Sequence, residues 1–275
     1  MLDQDKHLLL KLSNTVIQAG IKIMEFYKTD FKVEKKKDNS PITKADLAAN
    51  SIITEELKKI DENIPILSEE SVVAWNKRKQ WEKYWLVDPL DGTKEFINKN
   101  GEFTVNISLI SNHKPKFGLI NVPISGEIYW GQEGNGSYFI DSIDGEKKLN
   151  VSNRNNEPFK LTLSRSHSDI KTQKIIDRFR NPEIIKKGSS LKFCSIASGE
   201  SDIYPRIGPT CEWDTAAGHA IVENAGGLVL TLEGKALEYN TKESLINPNF
   251  IAYNQTHLAN KILFNGNQIT GGENL

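Results

Sequence analysis

Five acidic residues stand where an element begins or ends rather than on a solvated face. Asp46 lies near the start of a helical segment, Glu69 closes PILS, and Asp88 follows the apolar YWLV. Asp91 comes three residues later in DPLDGT, and Asp214 opens a further helical segment. Acids at the ends of buried strands project into a shared crevice, because the strands converge there. Each also has a plain structural use. Asp88 before Pro89 and Asp91 before Gly92 are ordinary turn residues, Asp46 suits a capping box with Thr43, and Asp214 suits an N-cap. Those uses explain the residue types but not their company. Carboxylates gathered in one cleft raise each other's pKa unless a cation neutralises them. Magnesium does that with a few carboxylates, some carbonyls and retained waters, and leaves positions for a phosphate. Two such ions can clamp the attacking and leaving oxygens of an in-line displacement. The Gly92-Thr93 step offers backbone N–H groups at a helix start, where a phosphate oxygen binds well.

Other metal and phosphate patterns fail. DPLDG has Pro and Leu where a calcium loop needs ligands, and no GxxxxGK loop is present. The histidines at 7, 113, 167, 219 and 257 form no zinc-like pair. The glycines of GQEGNGSYFID lack the strand-loop-helix setting of a dinucleotide site and read as a turn between strands.

The elements that must position the acids follow from spacing. Leu8, Leu12, Val16, Ile23 and Tyr27 predict an amphipathic helix, and Ala49, Ile53, Leu57 and Ile60 predict a second one starting near Thr43. The segments PILSEE, YWLVDPLDG, FTVNISLISN, KFGLINVP and EIYWGQ are β-branched or aromatic and bounded by turn residues, which predicts one sheet with GLINVPISGEIYW as a hairpin. Past residue 155, LTLSRS reads as a strand, 169–179 as a helix, KFCSIASG as a helix or buried segment, and LVLTL as a strand. WDTAAGHAIVENAGG reads as a helix stopped by Gly226-Gly227. Helices, then a sheet, then alternation predict stacked α and β layers in two closely packed lobes, 1–155 and 156–275, with a site in the cleft between them.

Bulk properties narrow the partners. The 275 residues carry 35 Lys plus Arg against 36 Asp plus Glu, a formal charge of −1, which argues against a dedicated nucleic-acid binder. No apolar run reaches the length of a membrane span, and MLDQDKHLLL lacks a secretory-signal pattern. Two cysteines without metal-ligand spacing, Cys194 and Cys211, suggest free thiols in a reducing cytoplasm.

SEE at 68–70, DPLDGTKEF at 88–96 and WDTAAGHAIVENAGG at 213–227 resemble, in order and spacing, the signatures of the inositol monophosphatase superfamily. The likeness runs over essentially the whole chain. PITKADLAAN, DPLDGTKEFINKNGEFTVNISLI, SRSH, GSSLKFC and YPRIGPTCEWDTAAGH are similar to its bisphosphate nucleotidase branch. That resemblance implies a layered α/β/α/β fold and a lithium-sensitive, magnesium-dependent phosphatase using two or three ions. The implied substrate is a small phosphate ester, adenosine 3′,5′-bisphosphate, and a location in the cytoplasm or at the inner membrane face. Carried over, Glu69, Asp88, Asp91, Asp214 and the Leu90 carbonyl are the implied metal ligands, with Glu70 outside the set. Asp46 and Thr93 are the implied pair that deprotonates a water. Gly92 and Thr93 would hold the reacting phosphate. Ser164, Ser166, His167, Ser189, Ser190, Lys192 and Arg206 would receive the rest of the nucleotide. Two other readings share these residues: an inositol or sugar phosphatase with the same metal core, and a non-catalytic sensor.

Overall fold

The computed structural model describes residues 3–28, 34–35, 41–42, 44–165 and 170–254. Helices α1 (Asp3–Tyr27) and α2 (Lys44–Ile60) form where the apolar spacing predicts them. Leu12, Val16 and Ile23 of α1, and Ala49, Ile53 and Leu57 of α2, are fully buried. Each large aliphatic chain so buried contributes roughly 1.5–3 kcal/mol, which no isolated helix could recover alone. Thr43 lies outside the described residues.

Both helices pack on one face of a seven-stranded sheet. Its strands are β3 (Ile66–Ser68), β4 (Lys83–Asp91), β5 (Thr104–Ser111), β6 (Lys114–Val122), β7 (Glu127–Gln132), β8 (Gly136–Asp141) and β9 (Gly145–Leu149), in chain order. β3 runs parallel to β4 and the other pairs are antiparallel. A short pair, β1 (Glu34–Lys35) and β2 (Pro41–Ile42), stands apart, and two short helices, α3 (Trp75–Arg78) and α4 (Thr93–Ile97), flank β4.

The second sheet has the order β11-β10-β12-β14-β13. These strands are β10 (Lys160–Ser164), β11 (Glu183–Lys187), β12 (Ile203–Arg206), β13 (Leu228–Thr231) and β14 (Phe250–Tyr253). Helices α6 (Leu191–Ala197) and α7 (Glu212–Asn224) fill the space between the sheets, and α5 (Ile170–Ile176) covers the far face with Phe159, Leu161 and Ile203. The layers are therefore helices, sheet, helices, sheet, as expected, with α5 added outside.

Small residues set the position of α7. A Cβ on Gly118 of β6 would lie 2.2 Å from the Ala217 carbonyl oxygen, and one on Gly131 of β7 would lie 2.9 Å from Ile221 Cα. The helix backbone thus rests on the sheet backbone, and Ser137 Oγ donates to the Ile221 carbonyl at 2.7 Å to hold it there. On the other side, Gly218 makes room for the Phe193 ring of α6.

Two details differ from the sequence expectation. α7 begins at Glu212, so Cys211 occupies the N-cap and Asp214 is the third helical residue, its Oδ2 accepting the Cys211 N–H at 2.9 Å. Asp214 is therefore a capping-box acid rather than the N-cap itself. The helix expected over 169–179 is shorter: α5 ends at Ile176 and turns through Phe179, whose ring enters the core. Cys194 and Cys211 are free, and Trp213 packs in the core between the sheets.

Candidate active site

The centre of the site is an irregularity in β4. Asp88 pairs with Asn106 and Asp91 with Thr104, so three steps along β4 match two along β5. In a regular strand, residues three apart point to opposite faces. One extra residue in the bulge restores Asp88 and Asp91 to the same side. Pro89 is accommodated because a bulge does not need its missing N–H. The Leu90 N–H, diverted from the ladder, donates to Asp88 Oδ1 at 3.1 Å.

Around this bulge the fold gathers the other acids. Glu69 follows β3, where its N–H donates to the Val87 carbonyl of β4 at 3.2 Å. Asp46 is buried in the first turn of α2, which packs on β4, and Asp214 is half-buried in the first turn of α7. Carboxylate oxygens of Glu69, Asp88 and Asp214 lie within 4.8 Å of one another. Burial holds the Asp88 carboxyl well above the usual carboxylate range, and the charges of Glu69, Asp91, Asp214 and Asp46 push the same way. Burial and the Asp91 charge push Asp214 up to about 8, against the opposing Cys211 N–H. The other four acids are thus all within electrostatic reach of Asp88. Thr93 opens α4 two residues after Asp91, with Gly92 as N-cap at φ 87°, a conformation open to glycine at no steric cost.

Asp91 is held from the far side. Its Oδ2 accepts Ser189 Oγ at 2.5 Å and Ser190 Oγ at 2.9 Å. Ser190 Oγ also lies 3.0 Å from the Asp214 carbonyl and accepts Asn106 Nδ2 at 2.9 Å. Thr104 Oγ1 meets Ser189 Oγ at 2.7 Å and Asn106 Oδ1 at 3.0 Å.

From Asp91 and Asp214 a cleft of about 560 Å³ opens toward Lys192, Arg206, Lys187 and Ser164. Burial pushes the Lys192 ammonium down to about 8, although Asp91, Glu95 and Asp214 favour its charge, and Nζ donates to the Ser189 carbonyl at 2.5 Å. Arg206 donates to Ser164 Oγ and to the Pro209 carbonyl, both at 2.9 Å. Its Nε is buried without a hydrogen-bond partner. At the cleft edge Arg165 forks onto Glu102, with Nε to Oε2 at 2.8 Å and Nη2 to Oε1 at 2.5 Å. The same Glu102 accepts the Gly188 N–H at 2.8 Å. Burial works against the Glu102 charge, yet Arg165 and the Gly188 N–H hold its pKa below the usual range.

The expected residues Asp46, Glu69, Asp88, Asp91 and Asp214 therefore come together, and Leu90, Gly92 and Thr93 lie on the connection from Asp88 to α4. Ser164, Ser189, Lys192 and Arg206 line the cleft, whereas Ser190 is almost fully enclosed. Ser166 and His167 lie outside the described residues. Sequence reading missed Thr104, Asn106, Glu102 and Arg165. The first two could have been found by asking which residues of the next strand pair with the acids of β4.

The donor set fits a hard cation. Three carboxylates within reach of one point, Asp88 buried among them and Glu69 and Asp214 half-buried, with the charged forms of Asp88 and Asp214 disfavoured first by desolvation and then by their neighbours' charges, are what a dication would neutralise. The layered fold and this acidic bulge define a metal-dependent phosphatase class. The chain belongs to the inositol monophosphatase family, whose profile matches residues 5–265.

Within that family the similar proteins are more particular. The chain is 44% identical over 234 residues to the 3′(2′),5′-bisphosphate nucleotidase CysQ of Salmonella typhimurium, covering 84% of this chain and 94% of the relative. It is 42% identical over 252 residues to CysQ of Escherichia coli K12, covering 91% and 98%. The crystal structure of CysQ from Bacteroides thetaiotaomicron superposes with a TM-score of 0.79 at 39% identity, covering 90% of this chain and 97% of that one. The inositol monophosphatase of Thermotoga maritima gives a TM-score of 0.78 at 25% identity, covering 96% and 98%. No helix among the described residues is long and apolar enough to cross a membrane.

Proposed function

We propose that this chain is a 3′(2′),5′-bisphosphate nucleotidase that hydrolyses the 3′-phosphate of adenosine 3′,5′-bisphosphate, releasing AMP and phosphate, with magnesium as its metal. The observation that carries the substrate is the polarity of the cleft: acids suited to cations at one end, Lys192, Lys187 and Arg206 at the other. An ester with two phosphate groups uses both ends. An inositol monophosphate would leave the cationic end without an anion, and the named relatives act on bisphosphate nucleotides.

In this reading residues 1–155 form a lobe supplying Asp46, Glu69, Asp88, Leu90, Asp91, Gly92 and Thr93, and residues 156–275 supply Asp214 and the cationic residues. Glu69, Asp88, Asp91, Asp214 and the Leu90 carbonyl would hold two or three magnesium ions. Bound there, the ions would acidify a water and neutralise charge on the phosphate. Thr93 Oγ1 orients the attacking water, and Asp46 receives through that hydroxyl the proton the water loses. The water oxygen bonds to phosphorus as the bond to the ribose 3′ oxygen breaks, and that oxygen takes up a proton on leaving. The Gly92 and Thr93 amides face the equatorial oxygens, where negative charge is spread. Lys192, Arg206, Ser164, Ser166 and His167 receive the 5′-phosphate and nucleoside.

The test is phosphate release from adenosine 3′,5′-bisphosphate and from inositol 1-phosphate, side by side, with magnesium and with chelator. Magnesium-dependent release from the nucleotide, with little from the inositol ester, is expected; the reverse preference would overturn the substrate. Thr93→Ala should fold normally and turn over at least about a hundredfold more slowly, the scale of a lost general base. Because Lys192 loses its charge as pH rises through about 8, kcat/KM should fall above that pH, and Lys192→Met should flatten the alkaline limb.

A further inference from the structure

Ser190 sits where two acids from distant parts of the chain meet. Its side chain is 1% exposed, as is that of Asn106, and Thr104 is fully buried. A serine hydroxyl has one proton and two lone pairs. Asn106 Nδ2 donates to Ser190 Oγ at 2.9 Å and so occupies a lone pair. The proton is then left to the two acceptors within reach, Asp91 Oδ2 at 2.9 Å and the Asp214 carbonyl at 3.0 Å. Ser189 Oγ–H adds a second donor to the same Asp91 oxygen at 2.5 Å. The terminal torsion of an aspartate is broad and soft on its own. Two hydroxyls on one oxygen, themselves fixed by β5, remove that freedom.

We infer that Ser190, oriented by Asn106, is a positioning residue that fixes the Asp91 carboxylate against the start of α7 for cation binding, with Ser189 as its partner, rather than a contact to substrate. The inference rests on the metal-dependent reading above. Ser190 is enclosed, its proton and one of its lone pairs are engaged by groups of the protein, and it bridges β4 to α7 through the loop 188–190. A group that locks a ligand controls how tightly the cation is held, and outer hydrogen bonds of this kind are worth about 10–100-fold in metal affinity. Their loss leaves substrate recognition to Lys192 and Arg206 untouched.

The measurement is a magnesium titration of the full chain by the rise of its melting midpoint, without substrate, repeated on Ser190→Ala and Ser189→Gly. Ser189 has φ 50°, a region that glycine enters freely, so the second variant adds no backbone strain. In both, the magnesium midpoint should rise about tenfold or more. For the enclosed Ser190, the Ser190→Ala variant at saturating magnesium should keep the nucleotide KM within about twofold of the parent and recover most of kcat. An unchanged magnesium midpoint in Ser190→Ala would overturn the inference, and a raised KM beside it would make Ser190 a substrate contact instead. A parent protein with no magnesium response at all would instead overturn the metal-dependent reading beneath it.

Discussion

Asp88→Asn should melt higher than the parent in chelator and turn over the nucleotide about a thousandfold more slowly. Asp88 is buried at the centre of the acids, and Glu69, Asp91, Asp214 and Asp46 all disfavour its charge. Its pKa in the folded chain lies above its unfolded value of about 3.9, so its ionisation weighs against folding. The protonated group is compatible with the fold below that unfolded value, and stability is lost as pH rises through the folded pKa. Asparagine cannot ionise, keeps an oxygen for the Leu90 N–H, and removes that loss. Relief of strain of this kind in an active site is worth on the order of 1 kcal/mol, which for a chain of this size is about 2–4 °C. The same change removes a carboxylate from the proposed cation site. Loss of about 4 kcal/mol of transition-state stabilisation there corresponds to about a thousandfold in rate. Asp214, pushed up to about 8, extends the effect: the parent's melting midpoint in chelator should fall from about pH 4 toward pH 8. Excess magnesium should suppress that fall. Melting curves at several pH values, with and without magnesium, read all of this. A lower midpoint for Asp88→Asn in chelator would remove the electrostatic crowding, and near-parental turnover would remove the catalytic assignment.

Gly118→Ala should destabilise the protein by about 3 kcal/mol or more, the upper end of the usual cost of overpacking. The added methyl would sit 2.2 Å from the Ala217 carbonyl oxygen and 2.9 Å from the Ala217 Cα. Those atoms are helix backbone and cannot rotate aside, so α7 must lift from the sheet or β6 must bend. The expected fall in melting midpoint is about 6–12 °C at roughly 2–4 °C per kcal/mol. Since α7 carries Asp214, the magnesium midpoint should weaken as well. Gly134→Ala is the control: nothing lies within 4 Å of its added Cβ, leaving only the strain of its φ of 81°, about 1–2 kcal/mol. Equal effects of the two substitutions would show that the contact under α7 does not govern stability.

How far the sequence discloses this molecule depends on the range of the interactions. The faces of α1 and α2 are legible because each is a local periodicity, and β4 to β7 because β-branched runs end at turn residues. β9 (GEKKL) and β11 (EIIKK) were not anticipated, since edge strands facing water carry charge instead of an apolar alternation. Asp88-Pro89 reads locally as a turn, and only pairing with Asn106 and Thr104 reveals a bulge inside a strand. The acids of the site are legible by type and neighbourhood. Where the hydroxyls of Ser189 and Ser190 point is not, because their partners lie about 85 to 100 residues away.

The extra residue in β4 also decides what kind of oxygen the chain can offer. A strand reading Asp-Xaa-Asp would place two acids on one face without any bulge, since alternate residues share a side. It would keep its intervening peptide within the ladder. Here Pro89 and Leu90 have no partner in the β5 register. A peptide carbonyl released in this way is an electrically neutral donor: it can join a coordination shell without adding to the repulsion that already burdens Asp88 and Asp214. In a basin crowded with anions, one more ligand is tolerable chiefly if it brings a dipole and no charge.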